Sequence, residues 1–248
     1  MVKKAMIAMS GGVDSSVAAL LTMEQGYACA GVTLKMFETG LDTCGSGKDA
    51  DDARQVAERL GMKHEVLDFT RYFEDKVIRH FVETYERGAT PNPCIECNRS
   101  IKFDALYRHV QEQGCDYVVT GHYARITYDE PSGRYLLQRA ADPAKDQSYV
   151  LYMLSQEQLA HTLFPLGGLS KPQVREIAEK NGFVNAQKSD SQDICFVPDG
   201  DYAAFIERYT GRSLMPGDFV DENGSVQGRQ RGVLCYTIGQ PKGHGLSL

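Results

Sequence analysis

The 248-residue sequence has no apolar stretch close to the roughly 20 residues that a membrane-spanning helix needs, which predicts a protein without a membrane segment. Positive charge is also scarce, since the sequence has 27 lysines and arginines and 33 aspartates and glutamates. This balance argues against a protein that coats nucleic acid by charge alone. The basic, then apolar N-terminus does not continue as a signal peptide, because Ser10, Gly11 and Gly12 interrupt it. We therefore expect a cytoplasmic globular protein.

Short apolar runs alternate with helical patterns over the first two thirds of the chain. Strands are predicted at 4–9, 28–36, 64–69 and 115–120, and helices at 14–25, 49–60, 72–87 and 101–113. This alternation predicts an α/β fold with a doubly wound parallel sheet. Ligands of such sheets bind at the carboxyl ends of the strands.

The pattern changes after Tyr123. A hairpin is predicted from 125–128 and 134–139, followed by helices at 147–154, at 171–181 after Ser170 as N-cap, and at 202–209. Beyond Gly217 we expect strands at 218–221, 226–228 and 233–238. The predicted organisation is one domain over residues 1–200 and a small β-rich second domain over 201–248.

The segment Ser10-Gly11-Gly12-Val13-Asp14-Ser15 follows the first predicted strand and opens a helix. Glycines let backbone N–H groups approach a polyphosphate, and the helix N-terminus adds a favourable dipole. An ordinary turn with Asp14 as a cap is the alternative. The full string is similar to the pyrophosphate-loop motif of ATP pyrophosphatases, which split ATP between the α and β phosphates.

Cysteine is present in an odd number, seven, without a secretion signal, which indicates thiols with chemical roles rather than a disulfide scaffold. We expect the helix that follows Cys94 and Cys97 to begin at 98–101, so that its dipole lowers the pKa of the Cys97 thiol. The spacing C-x-x-C also supplies half of a zinc site, which Cys44, His122 or Cys195 would have to complete. Cys195 itself is either a small buried hydrophobe or a reactive thiol in a polar stretch.

Several motifs in a common order make the whole chain resemble the tRNA-specific 2-thiouridylase family of the PP-loop ATP pyrophosphatases. They are the segments 10–15, 92–97, 120–125 (Thr-Gly-His-Tyr-Ala-Arg), 145–149 (Lys-Asp-Gln-Ser-Tyr), 191–196 and 236–243. The resemblance implies sulfur transfer to C2 of the wobble uridine of tRNA, with ATP, and with Mg²⁺ expected, to adenylate the C2 oxygen. It also implies a partner, either a sulfur-relay protein or a cysteine desulfurase, that donates persulfide sulfur.

The resemblance also implies roles for particular residues. Cys195 would carry the persulfide, and Cys97 would attack it or close a Cys97–Cys195 disulfide at the end. The residues implied for ATP are Ala8, Met9, Ser10, Gly11, Gly12, Val13, Asp14, Ser15, Met36 and Gly121. Those implied for tRNA are Asn92, Pro93, Cys94, His122, Lys145, Asp146 and Gln147, the first three of which would flank a flipped-out base.

The sequence departs from the family pattern in two places. Cys94 stands where the family often has an aspartate, proposed there as an acid/base group, so that a second candidate nucleophile appears. The family also continues into a C-terminal β-barrel, which we expect to be absent from this chain. Two other functions stay open: an adenylating ligase for a small metabolite, which has no need of the two cysteines, and a zinc-dependent nucleic-acid-binding module.

Overall fold

The first strand, β1 (Lys4–Ala8), lies at the centre of a five-stranded parallel sheet. The computed structural model describes residues 2–37, 47–189, 194–237 and 240. The other strands are β2 (Ala28–Lys35), β3 (Lys63–Asp68), β4 (Tyr117–Val119) and β7 (Thr162–Leu163), in the order β3-β2-β1-β4-β7. The predicted parallel α/β sheet is therefore confirmed, and its four longest strands lie where the apolar runs placed them. The fifth strand was not predicted, because two residues leave no periodicity to detect.

Successive side chains of β1 point to opposite faces of the sheet and enter two different apolar clusters. Ala5 and Ile7, both fully buried, pack with α1 (Val13–Glu24), α2 (Gly47–Arg59) and α8 (Lys171–Lys180). Met6 faces the opposite cluster, which contains Phe81 and Phe103 from the helical segments between β3 and β4. Helices thus cover both faces, as the doubly wound arrangement predicts.

Two long helical segments connect β3 to β4. The first runs from α3 (Thr70–Phe73) through a π-helical turn (Glu74–Ile78) into α4 (Arg79–Glu86). The second runs from α5 (Pro93–Cys97) through a π-helical stretch (Asn98–Ala105) into α6 (Leu106–Glu112). It begins earlier than predicted, because Asn92 is its N-cap and Pro93 fits the first turn. The predicted helix start at 98–101 is therefore wrong, and Cys97 is the fifth residue of the segment instead of preceding it.

The part after β4 begins with the predicted hairpin, β5 (Ala124–Asp129) and β6 (Arg134–Arg139). The helix expected at 147–154 is instead a short 3₁₀ helix (Ser148–Val150) with further turns, and α7 (Gln156–Ala160) follows it unpredicted. Helix α8 begins at Lys171, where Ser170 and Gln173 form a capping box.

The last described elements are α9 (Tyr202–Thr210) and the hairpin β8 (Gly217–Val220) with β9 (Val226–Gln230). The prediction of a third strand at 233–238 is wrong for Val233–Cys235, because these residues form a 3₁₀ helix. Ile206 of α9 is buried in the same apolar cluster as Phe81. Among the described residues, no helix combines the length and apolar character needed to span a membrane. The predicted roles of Cys44, residues 191–193 and most of 236–243 fall outside the described residues.

Candidate active site

The turn between β1 and α1 is closed by its own serines and by a close approach to α2. The backbone N–H of Ser10 donates to Oγ of Ser15 at 3.1 Å, and that hydroxyl donates to the carbonyl of Gly12 at 3.0 Å. Gly11 has a φ of 73°, and a Cβ there would lie 2.2 Å from the carbonyl oxygen of Asp49. Gly12, the N-cap of α1, brings no side-chain acceptor to the first amides of this helix. The turn is therefore rigid, and its backbone suits a phosphate.

The carboxylate of Asp14 is held by Lys171 and Tyr123, and sequence reasoning assigned a role to neither side chain. Nζ of Lys171, at the start of α8, lies 2.7 Å and 2.8 Å from the two Asp14 oxygens. The hydroxyl of Tyr123 donates to Asp14 Oδ1 at 2.8 Å. Lys171 is 8% exposed, so this ion pair lies largely out of solvent. Asp14 and Lys171 are 157 positions apart in the sequence, so no local sequence pattern could predict this ion pair.

A second set of side chains fixes the turn from the opposite side. Asn185 Nδ2 donates to the carbonyl of Gly11 at 2.9 Å and Lys188 Nζ donates to it at 3.2 Å. Lys188 also pairs with Asp49 and Asp52. Burial works to lower the pKa of Lys188, but hydrogen bonds to the two carboxylates outweigh it and raise that pKa above its usual value.

The residues that follow the carboxyl end of β4 pack directly against the Ser10–Ser15 turn. A Cβ at Gly121 would lie 2.8 Å from the backbone of both Asp14 and Ser15, so only glycine permits this contact. Next to it, His122 is buried, and its Nδ1 lies 2.7 Å from the Thr120 hydroxyl. Burial, together with the charge of Lys102, holds the pKa of His122 well below its usual value. The imidazole is therefore neutral at physiological pH.

Cys94 and Cys97 lie on the first turns of the helical segment that starts at Pro93. Oδ1 of Asn92 accepts the backbone N–H of Cys94 at 3.1 Å. Cys94 is exposed, whereas Cys97 is buried at 8% exposure. Residues three apart on a helix are neighbours, so the two thiols share one side of the segment.

Cys195 reaches the same region from the far end of the chain. It is half-buried and precedes Phe196, which is 2% exposed and packs edge-to-face against Phe81 at 5.1 Å between ring centroids. This ring anchors the segment in the core. Of the two readings of Cys195, the structure gives a partly accessible thiol at the wall of a cavity.

One cavity of about 330 Å³ brings the phosphate turn and three cysteines together at the carboxyl ends of β1 and β4. The residues implied by the resemblance that line it are Ala8, Met9, Ser10, Asp14, Ser15, Met36, Pro93, Cys94, Cys97, Gly121, His122, Gln147 and Cys195. Those that do not line it are Gly11, Gly12, Val13, Asn92, Lys145 and Asp146. Within the described ranges, no group of three or more His, Cys, Asp or Glu side chains is arranged to hold a metal ion.

Gln147 and Tyr149 of the segment 145–149 line this cavity, and hydrogen bonds hold the segment in place. Gln147 and Tyr123 exchange two hydrogen bonds, from Gln147 N–H to the Tyr123 carbonyl at 2.8 Å and from Tyr123 N–H to Gln147 Oε1 at 3.0 Å. Burial works to raise the pKa of Asp146, but hydrogen bonds from the Ala140 N–H and from Ser148 lower it below the usual value. The Asp146 carboxylate thus holds the backbone of this segment in place, and Gln147 lines the cavity.

Sequence reasoning assigned no role to three of the lining residues, Asn98, Lys102 and Tyr149. Asn98 is 1% exposed, and its Nδ2 donates to the carbonyl of Val150 at 3.0 Å. The available signal for Asn98 was a polar residue directly after Cys97, and that for Tyr149 was its place at the end of the motif 145–149. Lys102 carries no such signal, because only folding brings its segment to the cavity.

Comparison with known proteins identifies relatives along almost the full chain. The family described as "tRNA methyl transferase HUP domain" matches residues 3–199. The chain is 51% identical to the tRNA-specific 2-thiouridylase MnmA of Carboxydothermus hydrogenoformans over 253 residues, which covers 99% of this chain and 69% of that protein. It is 52% identical to the protein of the same name from Moorella thermoacetica, covering 98% of this chain and 70% of that one.

A solved structure shares the fold. It is described as a 4-thiouridine synthetase in complex with RNA and with bound ATP; it is 19% identical, with a TM-score of 0.56 over 79% of this chain and 45% of that one. At that identity the likeness concerns the fold alone. The two curated relatives, each about half identical over nearly the whole length of this sequence, show that the chain belongs to the tRNA-specific 2-thiouridylase family.

Proposed function

We propose that this protein catalyses the ATP-dependent 2-thiolation of the wobble uridine of tRNA, giving 2-thiouridine, AMP and pyrophosphate. The observation that carries the proposal is the single cavity in which the Ser10–Ser15 turn and the cysteines at positions 94, 97 and 195 meet. An adenylating ligase for a metabolite would need the turn alone. A thiolation enzyme needs both within reach of one uracil.

ATP binds at the Ala8–Ser15 turn with its phosphates on the backbone amides, and Met36 and Gly121 line the remainder of the nucleotide site. The C2 oxygen of the uridine attacks the α-phosphate, the bond between the α and β phosphates breaks, and pyrophosphate leaves. A Mg²⁺ ion would be held here mainly by the phosphates of ATP and would supply neutralisation of their charge. Lys171 keeps the Asp14 carboxylate in position beside the turn.

Adenylation makes the C2 oxygen part of a good leaving group. The terminal sulfur of a persulfide on Cys195 then attacks C2, a C–S bond forms, and AMP leaves with the oxygen. The thiolate of Cys97 attacks Sγ of Cys195, so that the transferred sulfur leaves with the bonding electrons as the thione and a Cys97–Cys195 disulfide remains. Attack by Cys97 before transfer would instead release hydrosulfide to C2, with the same disulfide as product.

Reduction by an external dithiol supplies the two electrons that restore both thiols. The persulfide sulfur comes from a donor protein, a sulfur-relay protein or a cysteine desulfurase. Asn92, Pro93 and Cys94 flank the flipped-out base, and His122, Lys145, Asp146 and Gln147 complete the tRNA contacts. The neutral state of His122 suits a hydrogen bond with an uncharged base.

Replacement of the two catalytic cysteines tests the proposal. Cys97→Ser and Cys195→Ser should each abolish 2-thiouridine formation in an assay with tRNA, ATP, Mg²⁺ and a persulfide donor. Cys29→Ser is the matched control, because burial raises the pKa of this thiol to about 11 and so leaves it inert at neutral pH. Full thiolation by both catalytic variants would contradict the mechanism. Stoichiometric zinc in the purified protein without ATP turnover would instead favour a zinc-binding module.

A further inference from the structure

Two exposed tyrosines lie three residues apart on one short segment, and the first of them lines the cavity. Tyr149 is 62% exposed and also lines the cavity, and Tyr152, three residues later, is 65% exposed. In the part of the chain that the structure describes, neither ring packs against another aromatic ring. Aromatic side chains are normally stabilised by burial, so large exposed rings next to a cavity indicate a surface that a ligand covers.

The backbone that carries the two tyrosines is firmly anchored. Val150 and Leu151 are buried at 3% and 0% exposure, and Leu154 at 9%. The segment is wound with i to i+3 hydrogen bonds, from Val150 N–H to the Gln147 carbonyl and from Leu151 N–H to the Ser148 carbonyl, both at 3.1 Å. At three residues per turn, positions 149 and 152 fall on the same side, opposite the buried residues.

A further anchor ties this turn to the cysteine helix. The side chain of Asn98, directly after Cys97, donates to the carbonyl of Val150 at 3.0 Å. The rings are thus held on a rigid support at a fixed distance from the reactive thiols. Binding on such a support loses little conformational entropy, which favours recognition of a planar group.

We propose that Tyr149 and Tyr152 form a stacking platform for RNA: Tyr149 stacks on the extruded target uracil at the cavity and Tyr152 on an adjacent nucleotide. This inference rests on the proposed function and assigns its base-positioning residues. Nucleobases stack on aromatic side chains in single-stranded RNA loops, where unstacked bases are available. Lys102 at the cavity wall and Lys145, four positions before Tyr149, supply positive charge suited to the phosphates of the same loop.

The absence of tryptophan from the chain gives a direct probe. Tyr149→Trp places the only tryptophan of the variant at the platform, and Tyr128→Trp places it on the β5–β6 hairpin, where the native tyrosine is also exposed, at 55%. Titration with an anticodon stem-loop RNA should quench the fluorescence at position 149 and leave position 128 unchanged. Quenching of the tryptophan fluorescence at both positions, or at neither, would overturn the platform. A fluorescence change at position 149 that depends on protein concentration and not on RNA concentration would overturn it as well.

Affinity measurements separate stacking from general RNA binding. Tyr149→Ala should raise the Kd for the same RNA by about 5- to 150-fold, the usual range for loss of one stacked base, whereas Tyr149→Phe should stay close to wild type. Tyr128→Ala is the control. An RNA without the target base should bind wild type more weakly and should lose nothing further with Tyr149→Ala. Equal binding by wild type and Tyr149→Ala overturns the platform alone, whereas absence of RNA binding by wild type overturns the proposed function itself.

Discussion

The ion pair between Lys171 and Asp14 should contribute more to stability than any exposed pair on the same helix. Lys171→Met removes an ammonium group that is 2.7 Å and 2.8 Å from the two carboxylate oxygens, with side-chain exposures of 9% for the lysine and 32% for the aspartate. Hydrogen bonds to charged groups contribute about 1.5–3 kcal/mol each when buried. Because Asp14 keeps the Tyr123 hydroxyl and part of its solvent contact, we expect a loss of about 2 kcal/mol in the free energy of unfolding.

Lys180→Met on the same helix is the matched control. Lys180 pairs with Glu176 one turn away, but the two side chains are 70% and 60% exposed, so solvent screens the pair and only a small loss of stability is expected. In a protein of this size, 1 kcal/mol shifts the Tm by about 2–4 °C. Thermal unfolding should therefore show a fall of about 4–8 °C for Lys171→Met and of about 1–2 °C for Lys180→Met. Equal shifts in the two variants would refute the reasoning from burial.

Two further predictions concern β4 and its carboxyl end. Gly121→Ala should lower the free energy of unfolding by about 1–3 kcal/mol and weaken ATP binding, because its Cβ would lie 2.8 Å from the backbone of the Ser10–Ser15 turn. Gly168→Ala is the control, since it has open space around it, and its free energy of unfolding in denaturant titrations should stay close to that of wild type. The lowered pKa of His122 predicts that its contribution to stability is complete above the unfolded-state pKa of about 6.5 and is lost as the pH falls below it, by up to about 1.4 kcal/mol per pH unit. Urea titrations at pH 7.5 and 5.5 should show a smaller loss for His122→Gln than for wild type; an equal loss would contradict this assignment.

The sheet was predictable from the sequence because its central strands are apolar runs and its helices carry one apolar face. Short elements were not, since α7 and β7 are too brief to show a period and take their conformation from what they pack against. The helix start at Pro93 was missed, although an asparagine followed by a proline is typical of an N-cap and the first helical position.

The site was predictable in its parts and not in its assembly. The Ser10–Ser15 turn and the cysteine positions are local patterns, and the cavity brings them together. Lys171, Asn185 and Lys188 could not be found in this way, because each reaches the turn from more than 150 positions away. Tyr149 belongs to the motif 145–149, but its exposure next to the buried Val150 and Leu151 is visible only in the structure.

The Gly11 carbonyl accepts hydrogen bonds from both Asn185 and Lys188. Lys188 also pairs with Asp49 and Asp52 of α2, so this one side chain joins α2 to the turn that follows β1. Neither Asn185 nor Lys188 lines the cavity. The shape of the turn proposed for the nucleotide therefore depends on side chains that stand behind it and do not face the cavity.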